Sequence, residues 1–327
     1  MSYLIRRLEF FVITLWAALT MNFLIPRVMP GSPAEAMLVR FHGRASPQAV
    51  RTMEVALGLH SNENIFQQYG EYLWNTAHLN FGVSLTFFPQ SVGKSIMIGL
   101  PWTVGLVGVS TVIAFLLGTL IGMLSAWRRG GLLDGILPPV FIMVSAFPYF
   151  WIALIAILIF AFTLNWFPLG FGYDLNQHIN LSWDFVGNAL WHGFLPALTI
   201  VITSIGGWIL TMRNTMITTL AEDYVKMARA KGLSPVRIMF MYAGRNAILP
   251  NLTGFAMSLG FVISGAILVE IVFNYPGLGY MLLQAVNNED FALMQGLFLL
   301  ITVAVLAAIL AADFLTAWLD PRTRQAD

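Results

Sequence analysis

An all-α integral membrane protein is the fold class that three features of this sequence predict. The chain of 327 residues is 58% hydrophobic and only 10% charged, against roughly a quarter charged for a soluble domain. Its apolar stretches are continuous rather than alternating, which fits membrane helices and not a barrel. Six of them, near residues 9–28, 100–126, 136–165, 194–212, 252–274 and 295–319, reach the length of about 20 residues that a helical crossing needs. Cysteine is absent, so no disulfide, thiol nucleophile or cysteine metal site exists. A formal charge of +1 gives no reason to expect a nucleic-acid partner.

The first apolar segment follows Arg6-Arg7 and is long for a signal peptide, with no small-residue cleavage site before Pro26-Arg27; a retained anchor is expected. The Lys/Arg distribution sets the orientation. Arg6, Arg7, Arg128, Arg129, Arg322, Arg324 and the six basic residues of the 213–251 loop give twelve of the seventeen on one side. The loops 166–193 and 275–294 have none and carry Asp174, Asp184, Glu289 and Asp290. Both termini are therefore expected in the cytoplasm. The other five basic residues sit at Arg27 or in the 29–99 segment, expected outside.

The 29–99 segment has helix signals of its own. Ser46-Pro47 is an N-cap followed by proline at the first helical position, with Gly58 as a stop. A second helix is expected from about Ile65 to His78, packing through Ile65, Tyr69, Tyr72, Leu73 and Trp74. A packing cap and a contact with an external partner both fit. In the third apolar segment Pro138, Pro139 and Pro148 predict a kinked or broken helix.

The 213–251 loop is the polar exception in an apolar chain. Thr219-Leu-Ala-Glu222 has the spacing of a capping box. Glu222 and Asp223 then suit a helix N-terminus, and Lys226, Arg229 and Lys231 its C-terminus. Gly232 fits a left-handed C-cap, and Ser234-Pro235 starts a second helix running to about Ala247, before Pro250. Ala221, Ala228 and Ala230 keep the first helix slim, while Leu220, Tyr224 and Met227 give it an apolar stripe. Docking into a protein groove and lying on anionic lipid both fit this pattern.

Other motifs carry less. Gly93-Lys-Ser95 is no phosphate loop, because the required earlier glycine is replaced by Phe88. His42, His60, His78, His178 and His192 lack ligand spacing and are expected as scattered surface residues. No hydrolytic triad or carboxylate pair points to an enzyme. Glu270 and Asp313 are acids within apolar segments, where a carboxylate needs a partner or water. Glu270, near the Pro276-Gly277-Leu-Gly279 bend, is expected to fix the outer mouth of the fifth span. Trp166, Phe167, Phe171, Tyr173, Trp183 and Trp191 crowd one edge, as an interfacial belt or a sugar-stacking surface.

The run Glu222-Asp-Tyr-Val-Lys-Met-Ala-Arg-Ala-Lys-Gly232-Leu, with Arg245-Asn-Ala-Ile-Leu-Pro250, resembles the cytoplasmic loop of ABC-importer permeases of the dipeptide/oligopeptide/nickel class. Ile5-Arg-Arg-Leu8, Pro30-Gly-Ser-Pro33, Leu57-Gly-Leu59, Glu270-Ile-Val-Phe-Asn-Tyr-Pro-Gly-Leu-Gly279 and Asp320-Pro-Arg322 extend the resemblance over nearly the whole chain. Ser32 stands where aspartate is usual, His60-Ser-Asn-Glu63 replaces an Asp-containing turn, and the gap from Gly232 to Ile248 exceeds the general importer pattern.

The resemblance implies a non-enzymatic permease of the bacterial inner membrane. Its coupling loop would engage an ATPase through Glu222, Asp223, Tyr224, Ala228, Ala230 and Gly232. The implied partners are a second homologous permease, two cytoplasmic ATPase subunits that use ATP and Mg, and an external solute-binding protein; this chain itself would hold no cofactor. Short peptides are the leading solute. Oligosaccharides are the alternative, from the Gly206-Gly-Trp208 and Met212-Arg213-Asn pattern; nickel import, a channel or a membrane enzyme fit less well.

Overall fold

A computed structural model describes residues 2–28, 64–180, 182–263 and 266–319. The Ser46-Pro47 helix, Gly58, His42, His60 and the closing Asp320-Pro-Arg322 lie outside these. All the regular elements among the described residues are helical: α1 (Ser2–Val28), α2 (Ile65–Ala77), α3 (Val92–Trp127), α4 (Leu132–Ser145), α5 (Tyr149–Thr163) and α6 (Trp183–Leu220). There follow α7 (Asp223–Ala230), α8 (235–247), α9 (Leu249–Phe261), α10 (Ile267–Val272), α11 (Leu278–Asn287) and α12 (Phe291–Leu319).

Four of these, α1, α3, α6 and α12, contain stretches long and apolar enough to cross a bilayer, and the α4–α5 pair makes five if counted as one span. The predicted fifth segment, 252–274, is two short helices, α9 and α10. The chain leaves helical backbone before α10 at Ala266, φ −89° and ψ 67°. The predicted third segment bends by 98° between α4 and α5. Pro138 and Pro139 ride inside the unbroken α4. The break comes at Pro148, which bars helical backbone at Phe147 and opens α5 by accepting the Trp151 amide at 2.9 Å. α3 starts earlier than its apolar run, with Ser91 capping the Lys94 amide. It absorbs Pro101 by widening its turns at Val104–Gly108.

Lipid tails are as apolar as leucine, so membrane helices associate mainly by close approach. The central seam shows this. Gly118 and Gly122, one turn apart on α3, face Ile205, Trp208, Ile209 and Met212 of α6; a Cβ at Gly122 would stand 2.5 Å from the Ile209 carbonyl. On the next side of α6, Gly206 meets Phe141 and Ser145 of α4, and Gly260 of α9 meets Ala308 of α12.

Buried polar groups pin the seams. Asn251 donates to Thr119 Oγ1 at 3.0 Å and to the Trp208 carbonyl at 3.2 Å, joining α9 to both α3 and α6. Asn22 of α1 donates to the Gln295 carbonyl of α12 at 2.8 Å. Asp290, fully buried, caps α12 through the Leu293 amide at 3.0 Å and holds the 81–91 connection through Ser84 Oγ and the Thr86 amide.

The α2 helix matches its expected range, capped by Asn64 with Gln67 reaching back. Tyr69, Tyr72 and Leu73 are half-buried, whereas Ile65 and Trp74 are exposed at 49% and 67%, and Trp74 lies against the His78 ring of its own helix end at 4.3 Å. Tyr69 and Tyr72 meet α1 at Thr20, Asn22 and Phe23.

Gly206 and Gly207 give a side-by-side test. A Cβ at Gly206 would lie 2.7 Å from the Phe141 carbonyl, while one at Gly207 meets nothing within 4 Å. Gly206→Ala should lower the thermal midpoint of the detergent-solubilised protein, by the ~1–3 kcal/mol typical of overpacking. Gly207→Ala should leave it level or higher, because alanine is the better helix former by about 1 kcal/mol.

Candidate functional site

The α6 helix does not stop near Met212, where its apolar run ends, but continues two turns to Leu220. Its last turns are threonine-rich, and the Thr218 and Thr219 hydroxyls bond back to carbonyls four residues earlier. Thr219 is thereby inside α6, donating to the Thr215 carbonyl at 2.8 Å. It does not cap α7, so the expected Thr219–Glu222 capping box is not formed. Glu222 takes the N-cap position in extended backbone without a side-chain cap bond. Glu222 and Asp223 still place two carboxylates at the α7 N-terminus, the favourable end for negative charge.

α7 ends as its sequence foretells. Gly232 has φ +71°, its amide reaches the Arg229 carbonyl at 2.9 Å, and the Leu233 amide reaches Ala228 at 3.3 Å. That pair of bonds closes a Schellman cap, which needs left-handed backbone at the glycine. Ser234-Pro235 opens α8 at once, although the serine side chain makes no cap bond. α8 then widens over Ile238–Gly244, where Gly244 lets Met123 and the Met239 carbonyl approach closely.

The inner face of α7 is Val225 and Ala228, 0% and 2% exposed. They join one cluster with Met123, Ala126, Met212, Met216, Ile238 and Met239, which is formed by the ends of α3 and α6 and by α8. Leu220 packs against the same cluster, while Tyr224 and Met227 are exposed, so these three do not make one stripe. Of the six residues singled out in the loop, Glu222, Asp223, Tyr224, Ala230 and Gly232 share the exposed side, and Ala228 is buried as a close-packing residue.

Polar bonds lock the unit. Asn246 donates to Tyr224 Oη at 2.7 Å, and that hydroxyl donates to the Tyr242 carbonyl at 3.4 Å, tying α7 to α8. Thr215 donates to the Ala247 carbonyl at 2.9 Å, tying α8 to α6. The Arg229 guanidinium lies 5.7 Å from the centre of the Trp127 ring at the end of α3, in cation–π range. Arg213 grips Asp134 with two bonds, 2.5 and 3.1 Å, and the Gly130 amide adds a third at 3.0 Å. This fork clamps the 128–134 turn to α6. Sequence pattern gave no sign of the pairing, since the partners are 79 residues apart.

A second constellation lies at the bend before α11. Glu270, fully buried, accepts from Thr103 Oγ1 at 2.8 Å and from the Gly279 amide at 2.7 Å, while Thr103 Oγ1 accepts from the Leu278 amide at 2.7 Å. A carboxylate and a hydroxyl from two other helices thus cap α11, satisfying amides that a helix start leaves open. Gly277 is required by space, not by backbone angle: a Cβ there would fall on the Glu270 carboxyl and Thr103 Oγ1. At Gly279 it would come within 2.7 Å of Ile267 Cα. Pro276 and Trp102 both close on Gly172. Glu270, Pro276, Gly277 and Gly279 therefore form one tight turn.

The 164–180 segment folds over that turn, its Phe171 amide bonded to the Phe273 carbonyl at 2.8 Å. His192 is no surface residue; it is buried between the Gly170 carbonyl at 2.9 Å and Asp174 at 3.2 Å. Tyr173 stacks on Trp102 and Phe167 on Trp191 and Phe194, while Trp166, Phe171 and Trp183 stay exposed. No group of three His or acidic residues able to hold a metal occurs among the described residues.

Apolar helices seamed by glycines, with a packed polar helix pair at one end, define a multi-span membrane protein. Residues 118–325 match the family of binding-protein-dependent transport system inner membrane components, and the chain belongs to that family. It is 32% identical to the di/tripeptide transport system permease protein DppB of Pseudomonas aeruginosa over 99% of both chains. It is likewise 32% identical to the oligopeptide transport system permease protein AppB of Bacillus subtilis over 98% of both. To the dipeptide transport system permease protein DppB of Lactococcus lactis it is 29% identical over 99% of both. The chain is accordingly a multi-span protein of the bacterial inner membrane.

The Arg213 fork is a two-bond ion pair between α6 and the start of α4. Asp134→Asn should lower the thermal midpoint of the detergent-solubilised protein at pH 7; a midpoint equal to wild type contradicts a working ion pair.

Proposed function

We propose that the chain is a transmembrane permease subunit of an ATP-driven importer, moving short peptides delivered by an external solute-binding protein. Family membership supports the importer class, and the relatives named as di/tripeptide and oligopeptide permeases support peptides as the solute. In this reading six spans cross the membrane with both termini in the cytoplasm. Residues 1–28 form the tail and first span, 29–99 an external segment, 100–319 the five-helix core with its 213–251 coupling loop, and 320–327 the cytoplasmic tail. The working complex contains a second, homologous permease, as a heterodimer, and two ATPase subunits. ATP and Mg belong to those subunits; this chain carries no cofactor and no catalytic residue.

The observation that carries the coupling role is the seat of α7. One face is buried with Val225 and Ala228 over the ends of α3 and α6, Glu222, Asp223, Ala230 and Gly232 are exposed to water, and Tyr224 stands at the edge, half-exposed and bonded to α8. When ATP closes the ATPase pair, the force on that outer face passes through packed side chains into the two longest spans. Alternating access then follows as a rigid rocking of the bundle. At the other end, the Glu270-capped turn at Pro276, Gly277 and Gly279 braces the outer mouth, keeping α10 and α11 together as the spans move.

Gly232 separates this reading from a loop that merely rests on lipid. Left-handed backbone costs an ordinary residue roughly 1–2 kcal/mol, and asparagine tolerates it better than most because its short polar side chain can bond locally. In the reconstituted transporter, Gly232→Val should keep the protein in the membrane and leave ATP hydrolysis running while peptide uptake falls about tenfold, the equivalent of ~1.4 kcal/mol of lost coupling. Gly232→Asn should retain most uptake. Normal uptake by the valine variant would refute the coupling role.

A further inference from the structure

The α2 helix has an apolar face that stands exposed among the described residues. With a helical period, Gln67, Glu71 and Asn75 fall on one side, and Phe66, Gly70, Leu73, Trp74 and Ala77 on the other. Tyr69 and Tyr72 form the boundary and meet α1: Tyr69 lies edge-on to Phe23 at 5.0 Å and bonds Thr20 at 2.7 Å, and Tyr72 accepts from Asn22 at 3.2 Å. Beyond them the face opens outward. Phe66 is 79% exposed and Trp74 67%, and a Cβ at Gly70 would meet nothing within 4 Å.

The hydrogen bonds to α1 fix the depth of this face. The apolar window of α1 is Leu8–Ile25, so Thr20 precedes its end by five residues, about 8 Å of helix rise. α2 is thus moored beside the last turns of a membrane span, not out in water. Interfacial helices bury their apolar face about 5–10 Å into the boundary between headgroups and acyl chains, which is the same depth. The aromatic ends suit that layer, where tryptophan concentrates. α1 itself continues the apolar surface with Trp16 and Met21, 59% and 61% exposed.

We infer that α2 is a membrane-interface helix: Phe66, Leu73 and Trp74 lie in the headgroup–acyl boundary of the leaflet where α1 ends, and Gln67, Glu71 and Asn75 face water. The occupant of the apolar face is lipid. The helix then acts as a stop on α1, resisting its vertical slip by holding Thr20 and Asn22 at a set level. The inference uses the reading of α1 as a span and does not depend on which side of the membrane its C-terminal end occupies.

The chain has no cysteine, so single cysteines report cleanly. Positions Phe66, Trp74 and Glu71 are replaced in turn, labelled with an environment-sensitive fluorophore and studied in the assembled transporter in phosphatidylglycerol/phosphatidylcholine nanodiscs. Lipids carrying a doxyl group near the headgroup should quench labels at 66 and 74 about threefold more than at 71, and aqueous iodide should favour 71. Iodide quenching all three alike would overturn the inference in favour of a water-exposed cap. Labels at 66 and 74 shielded from both quenchers would overturn it in favour of cover by another protein chain. A label at Ile13, mid-span in α1, must respond to a deep doxyl lipid; if it does not, the span reading fails and takes the inference with it.

Discussion

The approach of α3 to α6 at Gly118 and Gly122 is the contact on which the rest of the molecule depends. With no side chains at those two positions, the backbones come close enough that a single Cβ would strike the Ile209 carbonyl. In a membrane there is little hydrophobic gain in pairing helices, so this tight van der Waals seam supplies what burial supplies in water. Asn251 then fastens α9 to both partners at their common groove. The seam brings Met123 and Ala126 of α3 level with Met212 and Met216 of α6. That platform is where α7 is seated.

The seat explains why the loop is rigid although its outer face is polar. Val225 and Ala228 contribute little area, but they are backed by methionines, which adapt their shape to irregular gaps. Three side-chain ties then cross the unit in different directions: Asn246 to Tyr224, Thr215 to the end of α8, and Arg229 to Trp127. The Arg213–Asp134 fork extends the same unit to the turn before α4. α7 therefore sits on a packed body tied to it at several points.

Much of this was legible in the sequence where the cause is local. The apolar runs, the left-handed Gly232, Pro235 opening α8 and the range of α2 all follow from composition, backbone preference or capping over a few residues. The Glu270 turn was legible too, as an acid too costly to leave unpartnered near a Pro-Gly-Leu-Gly bend. Thr219 misled because its spacing to Glu222 satisfies a local rule, yet α6 runs on through it, held by packing against α3 and α8. Ala228 was legible as small but not as buried, since Met123 and Ala126 of its cluster come from the distant α3. Asp134 with Arg213, Asp290 with Ser84, and the burial of His192 are likewise products of the tertiary fold. Gly118 and Gly122, four apart in an apolar run, are a readable signal of close helix approach that composition alone passes over.

The central claim is that loop and span ends move as one body. Spin labels at Lys226 on α7 and at Leu132 at the start of α4, both exposed, measure it by pulsed dipolar spectroscopy in the assembled transporter. In the proposed importer the distance between them should be the same in the resting state and with ATP hydrolysis trapped, while the separation from Lys226 to the matching loop of the proposed second permease changes. A Lys226–Leu132 distance that shifts with nucleotide would mean that the loop flexes on its seat, and would contradict the account.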